Sequence, residues 1–439
     1  MSARLVAAVL CALSSIVLGC AAPSERPQVL LLAVDGLEPA VLEGLLESER
    51  LPNLQSLIDD GSLARVRCVT EMLSPVVWTT TATGMSPEDH GITDFELGGV
   101  PVRSSDRRVP AFWNLFTELG LPTAVVGWMV SWPAEESSGL IVSDRAHYGT
   151  FPRKTEPPAL VDLRRHQTRP NDTSGLDRFT SYPFDPGYTE WDPGAPGYQA
   201  NFLIDRRLNR ILQRDRAYTA MAREILRDYD PDVLAIYWRG VDYVSHGFWQ
   251  YYEPEPFRRQ GWEVPEADVR HLRDVIPTYY EFLAELVGRV LRQARDDRLV
   301  ILLSDHGFGT ALGPYSIEQG DYLSGNHRED GVLIISGTGA QRGVTQTHQI
   351  THYDVLPTLL WIAGRPQAAD FRGRPLTEYL TDRFDESAAL PEIASYRDIA
   401  RPGDDTVGVT EEDQQILDEL RSLGLVWLTV GLFRRAGPG

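Results

Sequence analysis

Gln28-Val-Leu-Leu-Leu-Ala-Val-Asp-Gly36 is the stretch on which the fold turns. A strand with one wet face alternates apolar and polar residues. Val29 to Val34 is apolar throughout, as expected of a strand buried on both faces of a parallel sheet. The run ends at Asp35-Gly36. Taken alone, Asp-Gly is an ordinary turn signal. In open α/β sheets, however, ligands gather at the carboxyl ends of strands, and Asp35 stands at such an end. Comparable runs follow. Asp232-Val-Leu-Ala-Ile-Tyr237 leads to Asp242-Tyr-Val-Ser-His246, and Leu299-Val-Ile-Leu-Leu-Ser304 ends at Asp305-His306-Gly307. Gly331-Val-Leu-Ile-Ile-Ser336 comes just after Gly325-Asn-His327.

Helical patterns separate these runs. Leu51–Ile58 is expected as a helix stopped by Gly61, Ala111–Gly120 as an amphipathic helix, and Phe202–Arg227 and Ala267–Arg295 as long ones. Tyr353–Ala363 and Glu411–Leu423 complete the set. Leu63–Val69, Thr123–Val126 and Leu140–Ser143 read as strands, with Cys68 a small core residue, and Ser86–Ile92 as a loop. Strands alternating with helices give an α/β fold: a mostly parallel central sheet with helices on both faces. From about 145 to 200 the pattern breaks into Pro, Gly, Asp and aromatics. A long irregular segment of this kind reads as an inserted cap over the active edge. The expected organisation is a catalytic domain over 28–400 carrying that cap, then a helical tail over 401–439.

The chain has 439 residues, 42% hydrophobic and 24% charged, with ample length for a large core. Its net charge of −20 argues against a nucleic-acid backbone as partner. A small anionic substrate remains compatible, because bound divalent cations reverse the local field. At the N-terminus, Arg4 precedes an apolar run from Leu5 to Leu18, too short for a comfortable membrane span. Val17-Leu18-Gly19-Cys20 resembles a bacterial lipobox. The expectation is a lipoprotein signal over 1–19, a lipid on Cys20, a tether over 20–27, and an exported, membrane-anchored protein at the periplasm or cell surface. Cys68 would then have no disulfide partner.

Glu71-Met-Leu-Ser-Pro-Val-Val-Trp-Thr-Thr-Thr-Ala-Thr-Gly84 reads as an extended approach, a Ser-Pro corner and a short helix. Ser74 is expected as the N-cap and Pro75 as the first helical residue. A hydroxyl there lies among free backbone N–H groups, a suitable place for an alkoxide or a phosphate. Most Ser-Pro corners are ordinary caps, so the weight comes from the acids and histidines elsewhere. Asp and His suit Zn²⁺, with room left for substrate. Asp242 and His246 are spaced i, i+4 and face one metal if that segment is helical.

The whole pattern resembles the alkaline phosphatase superfamily, most closely its type I phosphodiesterase/nucleotide pyrophosphatase branch, over Val29 to about Leu376. The resemblance implies two divalent metals, Zn²⁺ with Mn²⁺ as the alternative. One is held by Asp35, Ser74, Asp305 and His306, the other by Asp242, His246 and His327. It also implies that Ser74 is the catalytic nucleophile, attacking a small phosphoester and passing through a phosphoserine. Two metals roughly 4 Å apart stabilise both the attacking and the leaving oxygen, and a metal-bound hydroxyl ionises without a histidine base. Arg328, beside His327, and Trp249 are candidate substrate contacts, with Tyr251 and Tyr252 as part of the same wall or of a hydrophobic covering.

The chain departs from the branch at two places. Nucleotide-cleaving members use Thr where Ser74 stands, a mild change. They also carry an Asn shortly after the His-Gly-Ile segment, where this chain has Asp94 and Phe95, so the donor to a non-bridging oxygen is unassigned. The sulfatase pattern needs Arg four residues after the nucleophile; Trp78 occupies that place and argues against sulfate-ester hydrolysis. His90 reads as a loop anchor, and His147, His166, His271, His348 and His352 have no matched role. Alternatives are a phosphomonoesterase, a phosphoryl or phosphoalcohol transferase, and a non-catalytic metal-binding scaffold.

Overall fold

The computed structural model describes residues 26–136, 139–147, 152–166, 172–192, 194–311, 323–398 and 411–422. The signal, Cys20, most of the tether, and residues 401–410 and 423–439 of the C-terminal tail lie outside the described residues. No described helix is long and apolar enough to cross a membrane.

The strands are β1 (Val29–Val34), β2 (Gly61–Arg67), β3 (Glu96–Leu97), β4 (Val100–Pro101), β5 (Thr123–Val126), β6 (Leu140–Val142), β7 (Thr155–Glu156), β8 (Val233–Trp238), β9 (Leu299–Ser304), β10 (Gly307–Thr310), β11 (Gly325–Arg328), β12 (Asp330–Gly337) and β13 (Ile350–Thr351). Nine of them form one sheet in the order β13-β2-β12-β9-β1-β8-β5-β6-β7. β9, β1, β8, β5 and β6 run parallel, whereas β12 and β7 run against their neighbours. The expected α/β architecture holds. β1 is its centre, and all six of its residues are buried.

Alternation along β1 sorts the helices into two layers. Leu30, Leu32 and Val34 point into a core built with helices Pro39–Glu47, Pro52–Asp59, Arg210–Tyr229 and Val275–Leu291. Leu31 and Ala33 point into the other core, with Ser74–Thr83, Phe112–Glu118 and Val355–Ile362. Each buried leucine contributes about 1.5–3 kcal/mol, so a polar residue on either face of β1 would be costly.

The register explains the site. Val34 pairs with Trp238 on one side and Ser304 on the other, so three strands end level. Asp35, Asp242 and Asp305 all leave the sheet at that edge.

Several local expectations change. The predicted helix over Ala267–Arg295 is two helices, Glu266–Leu272 and Val275–Leu291. Pro277 cannot donate to the carbonyl of Arg273 and its ring would crowd it, so the helix restarts after Asp274. Gly61 does not stop a helix but opens β2. A Cβ there would lie 2.1 Å from the Ile335 carbonyl oxygen, so glycine permits the close pairing with β12. Ser86–Ile92 contains a one-turn helix, Pro87–His90. The hairpins β3–β4 and β10–β11 had no periodic signal in the sequence.

The described part of 145–200 packs along the helices. Phe179 meets Phe282 at a ring separation of 5.8 Å, Thr180 donates to the His271 carbonyl at 2.9 Å, and Tyr188 donates to Asp205 at 3.1 Å.

Candidate metal centre

Asp35 is placed by β1, and Gly36 by what crowds it. Gly36 has φ +72°, and a Cβ there would meet Asp242 Cα at 3.0 Å. Its amide donates to Asp305 Oδ1 at 3.0 Å. The Asp-Gly pair is therefore a backbone clasp between two strand ends, beyond a simple turn. The His306 amide donates to the same oxygen at 3.0 Å. Asp305 Oδ2, although buried, has no hydrogen-bond partner.

Ser74 is the first residue of helix Ser74–Thr83; its N-cap is Leu73, and Pro75 is second. The expected serine cap is thus displaced by one. The Val76 and Val77 amides both donate to the Leu73 carbonyl, so they do not form the open anion nest expected of this corner. The Ser74 hydroxyl instead donates to Asp35 Oδ1 at 3.4 Å. Thr79, Thr81 and Thr83 return their hydroxyls to carbonyls four residues back, which lets a threonine-rich helix lie buried on all sides.

Asp242 and His246 sit on helix Gly240–Tyr252, so their spacing does put both on one face. His246 Nε2 lies 3.3 Å from Asp242 Oδ1, and His327 Nε2 lies 3.2 Å from it. His327 arrives on β11, paired with β10, which follows His306. The His306 and His327 rings stack at 3.7 Å, and Phe308 packs against His246 at 4.8 Å.

The histidine tautomers follow from their partners. Nδ1 of His246 faces the Gly325 carbonyl at 3.0 Å, Nδ1 of His306 the Gly307 carbonyl at 3.0 Å, and Nδ1 of His327 the Met72 carbonyl at 2.7 Å. A carbonyl only accepts, so each Nδ1 carries hydrogen and each Nε2 turns a lone pair inward. His246 and His327 Nε2 atoms are 3.0 Å apart, and the buried His306 Nε2 has no hydrogen-bond partner. Lone pairs gathered this closely require a cation or a proton between them.

The carboxylates carry the same message. Asp35, Asp242 and Asp305 are all buried. Burial, then the charge of Asp242, raises Asp35 to about 6. Burial, then Asp35, raises Asp305 well above the carboxylate range. For Asp242 the upward push of burial is outweighed by His246 and His327, which hold it well below its usual range. His327 is raised despite burial because Asp242 hydrogen-bonds it, and burial lowers His306. A proton on His327 occupies the place suited to a metal. Buried acids, neutral imidazoles and orphaned acceptors aimed at one point fit divalent cations.

Two groups of potential ligands have donor atoms within 4.8 Å of one another: Asp242, His246 and His327, and Asp35, Asp242 and His306. The first is the trio expected for one metal. The second draws Asp242 to both sides, while Asp305 stands 3.4 Å from His306 Nε2. All seven expected ligand residues thus gather at the sheet edge.

Arg328 lies on β11 with its side chain against the Thr310 carbonyl at 3.1 Å. Trp249 is buried, donates to Glu253 at 3.0 Å and meets Phe308 at 5.7 Å. It is covered on the side a substrate would use and packs on Phe308, which in turn meets His246, and Tyr251 is core as well. His90 anchors its loop, with ring nitrogens 3.1 Å from Thr80 Oγ1 and from the Ile92 amide. His352 is buried on the Ser304 carbonyl, whereas His348 is exposed. Sequence reasoning missed Tyr237, whose hydroxyl donates to Asp35 Oδ2, and Arg239. A tyrosine inside an apolar strand and an arginine at its end were the available signals.

The model of the family "Type I phosphodiesterase / nucleotide pyrophosphatase" matches residues 29–382. The chain belongs to the type I phosphodiesterase/nucleotide pyrophosphatase family. That places it among hydrolases of the alkaline phosphatase superfamily. A proposed extracellular sulfatase, the Sulf-1 homolog of Caenorhabditis elegans, is 30% identical over 98 residues, covering 22% of this chain and 14% of that protein. The chain therefore matches about a seventh of that relative's length. Among solved structures, a proposed sulfatase from Bacteroides thetaiotaomicron is 14% identical with a TM-score of 0.50, covering 80% of this chain and 74% of that one. Phosphonoacetate hydrolase from Sinorhizobium meliloti is 12% identical with a TM-score of 0.44, covering 76% and 94%. The Bacteroides likeness supports the fold.

Proposed function

We propose that this member of the family is a metal-dependent phosphoester hydrolase, with phosphodiesters as its first substrate class, acting through a phosphoserine on Ser74. The observation that carries the reading is the Ser74 hydroxyl, hydrogen-bonded to Asp35 at 3.4 Å, at the edge of a buried set of three carboxylates and three inward imidazoles. Asp35, Ser74, Asp305 and His306 would hold one cation and Asp242, His246 and His327 the other; Asp242 belongs to both groups of potential ligands. The donor set suits Zn²⁺. When bound, the cations supply charge neutralisation for the attacking and leaving oxygens.

The chain's own residues do the rest. Asp35 holds the Ser74 hydroxyl in one direction, and Tyr237 holds Asp35. Ser74 Oγ forms a bond to phosphorus as the bond to the leaving alcohol breaks; the hydroxyl proton balances the departing alkoxide. Water then cleaves the phosphoserine, releasing a phosphomonoester and restoring Ser74. The same reading extends to export and lipid anchoring through Cys20, which would keep the site beside a membrane.

The test is release of p-nitrophenol from bis-p-nitrophenyl phosphate and p-nitrophenyl phosphate by the full chain. A chelator abolishes it, and Zn²⁺ or Mn²⁺ restores it. Ser74→Ala loses roughly 10⁴-fold or more in turnover yet still binds metal. Equal hydrolysis by both proteins overturns Ser74 as nucleophile.

A further inference from the structure

Beside Pro75, the residue after Ser74, lies a cavity of about 60 Å³. That is several times the ~10–15 Å³ a single water needs. Arg145, Arg214 and Arg239 line it, with Phe95, Ile416 and Leu420 among its apolar walls. None of the candidate metal ligands lines it, so it is a neighbour of the metal centre and not part of it.

Its arginines differ in what they face. Arg145 is answered by Asp413 of the C-terminal helix Glu411–Ser422 at 2.8 Å. Arg239 is 7% exposed, and neither its Nε nor its Nη2 has a hydrogen-bond partner. Arg214 is 6% exposed, and its Nε has none. The two rings beneath them, Tyr243 at 4.5 Å from Arg239 and Tyr218 at 5.3 Å from Arg214, hold the guanidinium planes without using these donors. Nε and Nη2 share one edge of a guanidinium. Their parallel N–H bonds match two oxygens of a carboxylate or a phosphate.

Asp144 is the carboxylate lining the cavity, and it accepts from the Val130 amide at 3.2 Å. Asp35 and Asp242 lie within the electrostatic reach of Arg239. In the proposed enzyme their charge is answered by cations. Asp215 also lies within the electrostatic reach of Arg214, so charge alone does not define the site; what stays unanswered is the hydrogen bonding of Arg239 Nε and Nη2 and of Arg214 Nε.

We propose that this cavity receives an anionic group, a carboxylate or second phosphate, carried by the substrate away from the scissile phosphorus. Two of its oxygens sit on the Nε/Nη2 edge of Arg239, with Arg214 Nε beside them. The proposal rests on the hydrolase reading and narrows it: neutral esters are poor substrates and anionic ones are preferred.

The experiment compares three p-nitrophenyl phosphodiesters with the full, metal-loaded chain. Their second alcohols are propanol, 3-hydroxypropanoate and propanediol monophosphate. At least one anionic diester is favoured in kcat/KM over the neutral one by about tenfold or more, chiefly through KM, as expected for a charge-assisted paired contact. Which anion wins distinguishes carboxylate from phosphate. Arg239→Lys keeps the charge but loses the paired edge, and Arg214→Gln loses the neighbouring charge; each cuts the preference several-fold. Metal content and melting temperature report whether each variant is folded, and Arg214→Gln carries the test if Arg239→Lys is not. Equal turnover of all three esters by the wild type overturns the anion site. A preference that survives substitution in folded protein overturns its assignment to these arginines. If none of the three is hydrolysed, the hydrolase reading itself has failed and this assignment goes with it.

Discussion

The two halves of the candidate metal centre are built differently. Asp35, Asp305 and His306 stand directly on the ends of neighbouring central strands, and Ser74 opens a helix packed beneath them. Their positions are set by backbone: the Gly36 and His306 amides clamp Asp305 Oδ1. Asp242 and His246 come from a helix, and His327 from a two-stranded hairpin outside the main sheet. That half is held by side-chain packing on Phe308 and by carbonyls of distant segments. The strand-end half is a cradle held by backbone amides, and the helix–hairpin half packs against it.

Imidazole rescue should separate them most sharply. The His306 side chain is 0% exposed and that of His327 is 9% exposed. Replacing either with Ala removes a ligand, beyond the roughly 10–100-fold cost of losing only a supporting residue. Added imidazole should restore a measurable share of turnover and metal binding to His327→Ala and none to His306→Ala. Equal rescue would mean the two halves are equally open, and the contrast drawn from burial would fall.

A smaller effect tests the cradle alone. Tyr237→Phe removes the hydroxyl that donates to Asp35 Oδ2 but leaves the ring against Trp78. Affinity for the metal held by Asp35 should drop roughly 10–100-fold, while the second metal titrates as before. A titration with two unchanged affinities would show that Asp35 needs no such support.

The cradle was also the half that could be read. Asp35 and Asp305 follow apolar runs whose length and lack of alternation announce buried parallel strands. Their convergence then needs only the level ends of β1, β8 and β9. His327 has no such local mark. β10 and β11 are four residues each, and β11 is partly exposed along its length, so His327 was reached through family resemblance and its Gly-x-His position just before an apolar run, with no periodic signal of its own. Asp242 and His246 were legible as a spacing, but nothing in it marked Asp242 as a residue shared with the other half. The remaining misreadings are non-local too. Gly61 answers to a carbonyl on β12, Trp249 to Phe308 and Glu253, and Tyr237 and Arg239 to acids that the chain brings beside them from far away. The break at Pro277 was local and could have been seen, since a proline at that place cannot continue a helix begun at Glu266.

The cradle should have its own acid sensitivity, the smallest of these effects. His352 is buried under it, its Nε2 3.2 Å from the carbonyl of Ser304, the residue before Asp305. Burial lowers its imidazole to about 4, from 6.5 in a free chain. The folded protein therefore holds it neutral where the unfolded chain would protonate it. Its contribution to stability is fully present above pH 6.5 and is lost as pH falls through about 4. Between those values one such group adds a slope of about 1.4 kcal/mol per pH unit. His352→Gln keeps a donor for the Ser304 carbonyl but cannot ionise. Urea unfolding of metal-free protein at a series of pH values should show the variant flatter than wild type by about that slope. His90, lowered to about 3 chiefly by burial, remains in both proteins and supplies a common background. Parallel curves would mean that His352 stays neutral in the unfolded chain as well, or is charged in the folded one. The cradle would then draw no part of its acid sensitivity from the imidazole beneath it.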